Sequence, residues 1–167
     1  MKRLTIIRHA KSDWADPSLR DHDRPLNARG QGAAPAVGEA LASRGCRPDL
    51  IISSTAVRAA TTARMIAEKI GYAGESIRED GELYHASVSD LQQAVASIDD
   101  TAGIGHAMLF GHNPGMEDFL DHLIGGYANQ RFVTCAVADL ELDITHWGEV
   151  SAGCGKLLEF FTPRDLA

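Results

Sequence analysis

Leu4-Thr5-Ile6-Ile7-Arg8-His9-Ala10-Lys11-Ser12 joins a short β-branched run to a polar, cationic one. Apolar and β-branched residues in succession, without polar alternation, predict a strand covered on both faces. Such strands belong to sheets packed between helical layers. Asp49-Leu50-Ile51-Ile52-Ser53 and Ala107-Met108-Leu109-Phe110 are two further runs of the same kind. Between and after them, apolar residues recur at helical spacing. Val37, Ala40 and Leu41 precede Gly45, and Ala59, Ala63, Ile66, Ala67 and Ile70 precede Gly71. Val88, Leu91, Val95 and Ile98 make a third stripe, and Met116, Phe119, Leu120, Leu123 and Ile124 a fourth, ended by Gly125-Gly126. Pro35 predicts that the first helix is kinked or begins later than Asn27. Val133 to Leu142 and Lys156 to Phe161 are the last strand candidates, with Trp147 and Phe160-Phe161 as core or sheet edge. The alternation predicts a three-layer α/β/α sandwich on a mostly parallel central sheet.

Residues 1–167 fit one domain, with enough chain to bury a core without a disulfide or metal staple. Lys plus Arg total 16 against 23 Asp plus Glu, a net charge of −7 that disfavours nucleic acid as a partner. No apolar run reaches the roughly 20 residues that span a bilayer, so no membrane partner is expected. Met1-Lys2-Arg3-Leu4 runs straight into the first strand, without a signal-peptide pattern. Cys46, Cys135 and Cys154 form no CxxC pair, and an odd count argues against a disulfide framework. The expected setting is the cytoplasm, and the expected state a monomer.

Ligands of such a sheet bind beyond the carboxyl ends of its strands. Arg8 and His9 follow the first strand. Ser53-Ser54-Thr55 follow the second, with Arg58 one turn into the next helix. Gly111-His112-Asn113-Pro114-Gly115 follow the Ala107–Phe110 strand. Singly, each has a bland explanation, since a strand-end histidine is usually structural and a first-turn arginine is usually solvated or paired. Three strand ends bringing two arginines and two histidines to one rim are a different matter. Guanidinium groups match phosphate oxygens bidentately and remain charged. Asn113 as N-cap and Pro114 as first helical residue place His112 at a helix mouth that favours anions. A neutral imidazole among these cations can attack phosphorus and carry the phosphoryl group. No Walker A pattern or dense Asp cluster is present, so the pocket is expected to work without metal or other cofactor.

Arg8-His9 after an apolar strand, Ser53-Ser54-Thr55-Ala56-Val57-Arg58-Ala59 and Gly111-His112-Asn113-Pro114 resemble the histidine phosphatase (phosphoglycerate mutase-like) superfamily. Arg8-His9-Ala10-Lys11-Ser12, the short chain, and Asp23-Arg24-Pro25-Leu26 ahead of Gly30 resemble its SixA-type phosphohistidine phosphatases. The resemblance spans the chain from Leu4 to the last strand. It implies that His9 is the phosphorylated nucleophile and that Arg8, Arg58 and His112 bind the phosphoryl oxygens. Arg24 and Asn113 join the substrate-binding set, although an ion pair with Asp21 or Asp23 is an alternative fate for Arg24. Ala10 departs from the Arg-His-Gly motif of most of the superfamily. The proton donor is placed at Glu82, in Gly81-Glu82-Leu83-Tyr84, with Glu79 and Asp80 as alternatives of the same chemistry. Arg58 to Glu82 spans 24 positions and Glu82 to His112 spans 30, too few for a large lid. An uncovered pocket suits a phosphate displayed on a protein surface or a loosely held small phosphoester, and the resemblance implies phosphohistidine on a protein.

Two rival readings come from other classes. A metal-dependent hydrolase would use Asp21-His22-Asp23 with His9 or Asp13, but these lie on a polar loop and further anchored ligands are not evident. A non-catalytic phosphate-recognition module would be expected to have lost His9 or one of the arginines. Gly30-Gln31-Gly32 and Gly103-Ile104-Gly105 are too short for dinucleotide fingerprints.

Overall fold

The computed structural model describes residues 1–167. Six strands, β1 (Lys2–Arg8), β2 (Leu50–Ser54), β3 (Arg78–Asp80), β4 (His106–Gly111), β5 (Val137–Leu142) and β6 (Gly155–Phe161), form one sheet in the order β3-β2-β4-β1-β5-β6. β3, β2, β4 and β1 pair in parallel, and β5 is antiparallel to both β1 and β6. Five strands therefore point one way, and the mostly parallel α/β/α sandwich is the observed fold. Helices α1 (Ala28–Ser43) and α2 (Val57–Ile70) cover one face, and α3 (Val88–Ala96) and α4 (Gly115–Ile124) cover the other.

The unalternating runs account for this layering. Along β1, Leu4 and Ile6 enter the core beneath α3 and α4, while Ile7 enters the core beneath α1 and α2. Along β4, Leu109 joins the first core and Met108 and Phe110 the second. Every one of these side chains is fully buried, the pattern of strands covered on both faces. Trp147 is fully buried as well and anchors its indole N–H on the Ile104 carbonyl at 2.9 Å.

Three local expectations are refined. α1 starts at Ala28, with Asn27 Oδ1 accepting from the Gly30 N–H at 2.9 Å, and continues without interruption through Pro35. Pro35 deprives the Gln31 carbonyl of its helical donor, but Gln31 is exposed and water can replace it. β5 begins at Val137 rather than Val133. The intervening backbone instead turns back at Cys135 (φ 60°), whose N–H meets the Arg8 and His9 carbonyls at 3.1 and 3.0 Å. α4 begins at Gly115, so Pro114 occupies the cap position and is not the first helical residue. The Asn113–Pro114 peptide bond is cis.

Candidate active site

The carboxyl ends of β1, β2 and β4 open into one cleft of about 250 Å³, whose walls include Arg8, His9, Arg58 and His112. Arg24 and Asn113 also line it. The end of β1 is held from several sides. His9 N–H donates to the Gly111 carbonyl of β4 at 3.1 Å, and Ala10 N–H donates to Thr62 Oγ1 of α2 at 3.0 Å. The first turn of α1 presses on the next residue, since a Cβ on Gly30 would stand 2.2 Å from the Lys11 carbonyl oxygen. Only a glycine permits that approach, and it fixes the segment that carries the nucleophile candidate.

His9 is buried, and its Nδ1 lies 2.7 Å from the Ala10 carbonyl oxygen. A carbonyl can only accept, so Nδ1 carries the hydrogen and Nε2 of the neutral ring keeps its lone pair. Burial, followed by the Arg58, Arg8 and Arg24 charges, pushes the ring down to about 4. His112, 5.1 Å away between ring centroids, is pushed down to about 3, first by burial and then by His9 and Arg58. Its Nε2 pairs with Ser54 Oγ at 2.8 Å. Burial also lowers Arg8, whose Nη1 donates to the Phe132 carbonyl at 3.2 Å. Asn113 Nδ2 donates to the same carbonyl at 2.7 Å, and its Oδ1 accepts from Glu117 N–H. Asn113 thus steadies the loop over Arg8 while capping α4 from one residue further out than expected.

Arg8 Nε, Arg58 Nε and His112 Nδ1 are buried nitrogens without a protein hydrogen-bond partner. Arg8 and Arg58 place guanidinium groups, always donors, at this one cleft beside the His112 ring, which suits a ligand with several acceptor oxygens. A phosphoryl group has that shape and sign.

Asp21 organises the opposite wall. Arg58 donates from Nη1 to the Asp21 carbonyl (2.7 Å) and from Nη2 to Oδ2 (3.0 Å). Arg24 donates from Nε and Nη2 to Oδ1, and Tyr84 donates its hydroxyl to Oδ2 at 2.5 Å. The Tyr84 hydroxyl first, then Arg58 and Arg24, hold this carboxyl well below its ordinary range. The Arg58 fork is therefore turned onto Asp21, leaving Nε unpaired. Arg24 pairs with Asp21 as the alternative foresaw, while the exposed Trp14 ring lies 3.4 Å from its guanidinium carbon. No three His, Cys, Asp or Glu side chains stand together as a metal site.

Glu82 is not brought to this cleft. It lines a separate hollow of about 430 Å³ with Arg78, Asp80 and Asp90, and its backbone N–H is capped by Asp80 Oδ1. Glu79 pairs with Arg64 outside the cleft. His85 lines the cleft in their place. It sits at φ 55°, an uncommon conformation for a residue with a Cβ, and its Nε2 is 3.6 Å from Asp21 Oδ2. The adjoining Ala86 carbonyl abuts α4 so closely that a Cβ on Gly115 would come within 2.4 Å of it. Reading the sequence missed Asp21 as the hub and His85 and Trp14 as wall residues. Only the reach of Asp21 toward Arg24 was signalled, by their i,i+3 spacing.

The depressed histidines set a pH dependence of folding. Both rings are neutral when folded, and in the unfolded chain both take up a proton below about 6.5. Between that value and the folded values the unfolded state binds more protons, so stability is full above about pH 6.5 and is lost as pH falls. Buried His106, also lowered mainly by burial, acts with the same sign. From pH 7 to pH 5 the loss is expected to be about 1–2 kcal/mol for each of His9 and His112, read as a falling Tm. His112→Gln should remove part of that fall. A Tm flat over the range would contradict neutral buried rings.

The comparisons with known proteins bear on family and fold. Residues 4–103 match the family model of the histidine phosphatase superfamily, branch 1. An uncharacterised chloroplastic protein of Arabidopsis thaliana is 36% identical over 160 residues, covering 92% of this chain and 72% of its own. The crystal structure of a candidate SixA phosphohistidine phosphatase from Agrobacterium tumefaciens superposes with a TM-score of 0.81 at 31% identity, covering 97% of this chain and 98% of that one. The protein histidine phosphatase SixA complexed with tungstate superposes at 0.84 over 99% of both chains, a likeness of fold at 19% identity. With the family pattern matched over more than half its length, and strand-end arginines and histidines gathered at one cleft, the chain belongs to the histidine phosphatase superfamily and resembles its SixA-like members.

Proposed function

We propose that the protein is a phosphatase that works through a covalent phosphohistidine on His9, with phosphohistidine on a partner protein as its substrate. The observation that carries this reading is the His9 ring itself: neutral, hydrogen-bonded to Ala10 through Nδ1, and facing cations with Nε2 free. Nε2 attacks phosphorus, a P–N bond to His9 forms, and the bond to the leaving group breaks. Arg8, Arg58 and His112 meet the phosphoryl oxygens as charge redistributes. His85, a cleft-wall imidazole 3.6 Å from Asp21 Oδ2 and 6.1 Å from the His112 ring between centroids, protonates the leaving group and then takes a proton from water. That water attacks the phosphohistidine, and inorganic phosphate and free His9 result. Charge that a metal ion supplies in other phosphatases comes here from side chains, so turnover is expected to survive excess chelator.

Between β2 and β4 the chain holds only α2, β3, α3 and short turns, too little for a large lid over the cleft. That favours a phosphate displayed on a protein surface, approached by a monomer. No helix is long and apolar enough to cross a membrane, and the three cysteines are unpaired. We place the protein in a reducing compartment, the cytoplasm by default.

The test is turnover of a histidine-phosphorylated carrier protein beside 4-nitrophenyl phosphate and alkyl phosphates, all with chelator. Arg58→Ala is expected to lose about 10²-fold in kcat/KM and to weaken protection by tungstate against thermal unfolding. The reading fails if no phosphorylated substrate is turned over, or if Arg58→Ala binds tungstate as well as the wild type.

A further inference from the structure

Lys11, Arg29 and Arg164 line a second cleft, also about 250 Å³, that meets the phosphoryl cleft at Lys11 and Thr134, residues common to both. All three cations are exposed, and no carboxylate lines this second cleft. None of them takes part in an ion pair, although the chain carries seven more acidic than basic groups. Elsewhere basic side chains do find partners, such as Arg44 with Glu159 and Lys69 with Glu39. Asp165, the acidic neighbour of Arg164, is spent on Thr162, whose N–H and Oγ1 it accepts at 2.8 and 3.2 Å.

The three positions are built into the fold. The Lys11 carbonyl accepts from Asn27 N–H at 3.0 Å and abuts Gly30. Arg29 stands in the first turn of α1, and the terminal turn bearing Arg164 packs on α1 through Leu166. Three unpaired cations lining one cleft repel one another, and an anion laid between them lessens that repulsion.

We infer that this cleft takes a second anionic group of the same substrate, a carboxylate or phosphate linked to the phosphoryl group being transferred. The inference rests on the phosphatase reading of the neighbouring cleft. An acidic side chain beside a phosphohistidine or the acid group of a small phosphoester would supply the same chemistry. On a molecule of net charge −7, this edge is where a doubly anionic substrate meets attraction.

Two substrate arms test it. One compares ω-carboxyalkyl phosphates of increasing length with their ω-hydroxy counterparts, and the other compares phosphohistidine peptides flanked by Glu or by Gln. Wild type should show KM lower by roughly three- to tenfold for the anionic member of at least one arm, the scale of one or two exposed charge pairs. The responding arm identifies the source. The preference should shrink as salt shortens the screening length below about 10 Å. It should vanish in the double variant Arg29→Gln/Arg164→Gln, which keeps wild-type turnover of 4-nitrophenyl phosphate and of the neutral members. Equal KM values across every pair, or a preference unchanged in the double variant, overturn the inference while leaving the phosphatase reading intact. Loss of all turnover, 4-nitrophenyl phosphate included, is instead a failure of the phosphatase reading. Thermal protection by the same compounds then decides the cleft: stronger protection by carboxylates in wild type alone supports it, and equal protection overturns it.

Discussion

His9→Ala is expected to form no phosphoenzyme and to keep less than about one part in 10⁴ of the wild-type kcat, the scale lost when a covalent nucleophile is removed. Brief exposure of the wild type to a phosphodonor should give a label that is labile to acid and stable to alkali, as a phosphorus–nitrogen bond requires. Chelator should leave that label unchanged. The variant is expected to fold, because His9 lines a cleft wall and belongs to neither hydrophobic core. Arg8, Arg58 and His112 remain, so tungstate should still protect His9→Ala against thermal unfolding. That combination, oxyanion bound and chemistry gone, separates the nucleophile from the binding groups. Label persisting in His9→Ala places the covalent step on another residue and overturns the mechanism. His9→Asn, which keeps a polar side chain at the position, should be equally inert.

Much of this site was legible before any coordinates because the fold places it by rule. Unalternating runs such as Leu4-Thr5-Ile6-Ile7 mark strands covered on both faces, and the residues just beyond such strands gather at one rim. The places of Arg8, His9, Arg58 and His112 at that rim therefore follow from period and position, while their roles come from the resemblance. What stayed hidden depends on loops, whose course carries no period. Asp21 lies 37 residues before Arg58 and 63 before Tyr84, yet one carboxylate receives both. The resemblance put the donor near the third strand, and the loop there does reach the site. It turns through Leu83, which is buried, so Tyr84 and His85 swing inward while Glu82 faces out. An offset of three residues decides which side chain lines the cleft, and local composition does not encode that offset. Val133–Ala136 misled for a related reason. Its apolar residues look like strand, but its amide groups close the end of β1 and leave no ladder to join.

The proton donor gives the second large effect, and it depends on the substrate. An alkyl phosphate expels an alkoxide, a very poor leaving group that needs a proton as the bond breaks. A 4-nitrophenolate leaves without help, and the imidazole of phosphohistidine leaves as a comparatively stable species. General acid catalysis contributes about 10²- to 10⁴-fold where it is needed. His85→Gln is therefore expected to lower kcat on alkyl phosphates by about 10²-fold or more and on 4-nitrophenyl phosphate by only a few-fold. Phosphohistidine should fall near the aryl case. Glu82→Gln should change none of these rates by more than about twofold, since Glu82 faces the hollow shared with Arg78 and Asp90 and not the cleft of His9. Asp21→Asn provides the internal control. It disturbs Arg58, Arg24 and Tyr84 together and should depress every substrate alike, as expected of a positioning residue. A uniform loss in His85→Gln would assign His85 to positioning too. A selective alkyl loss in Glu82→Gln would return the donor to Glu82 and require the 81–86 loop to turn over during the reaction.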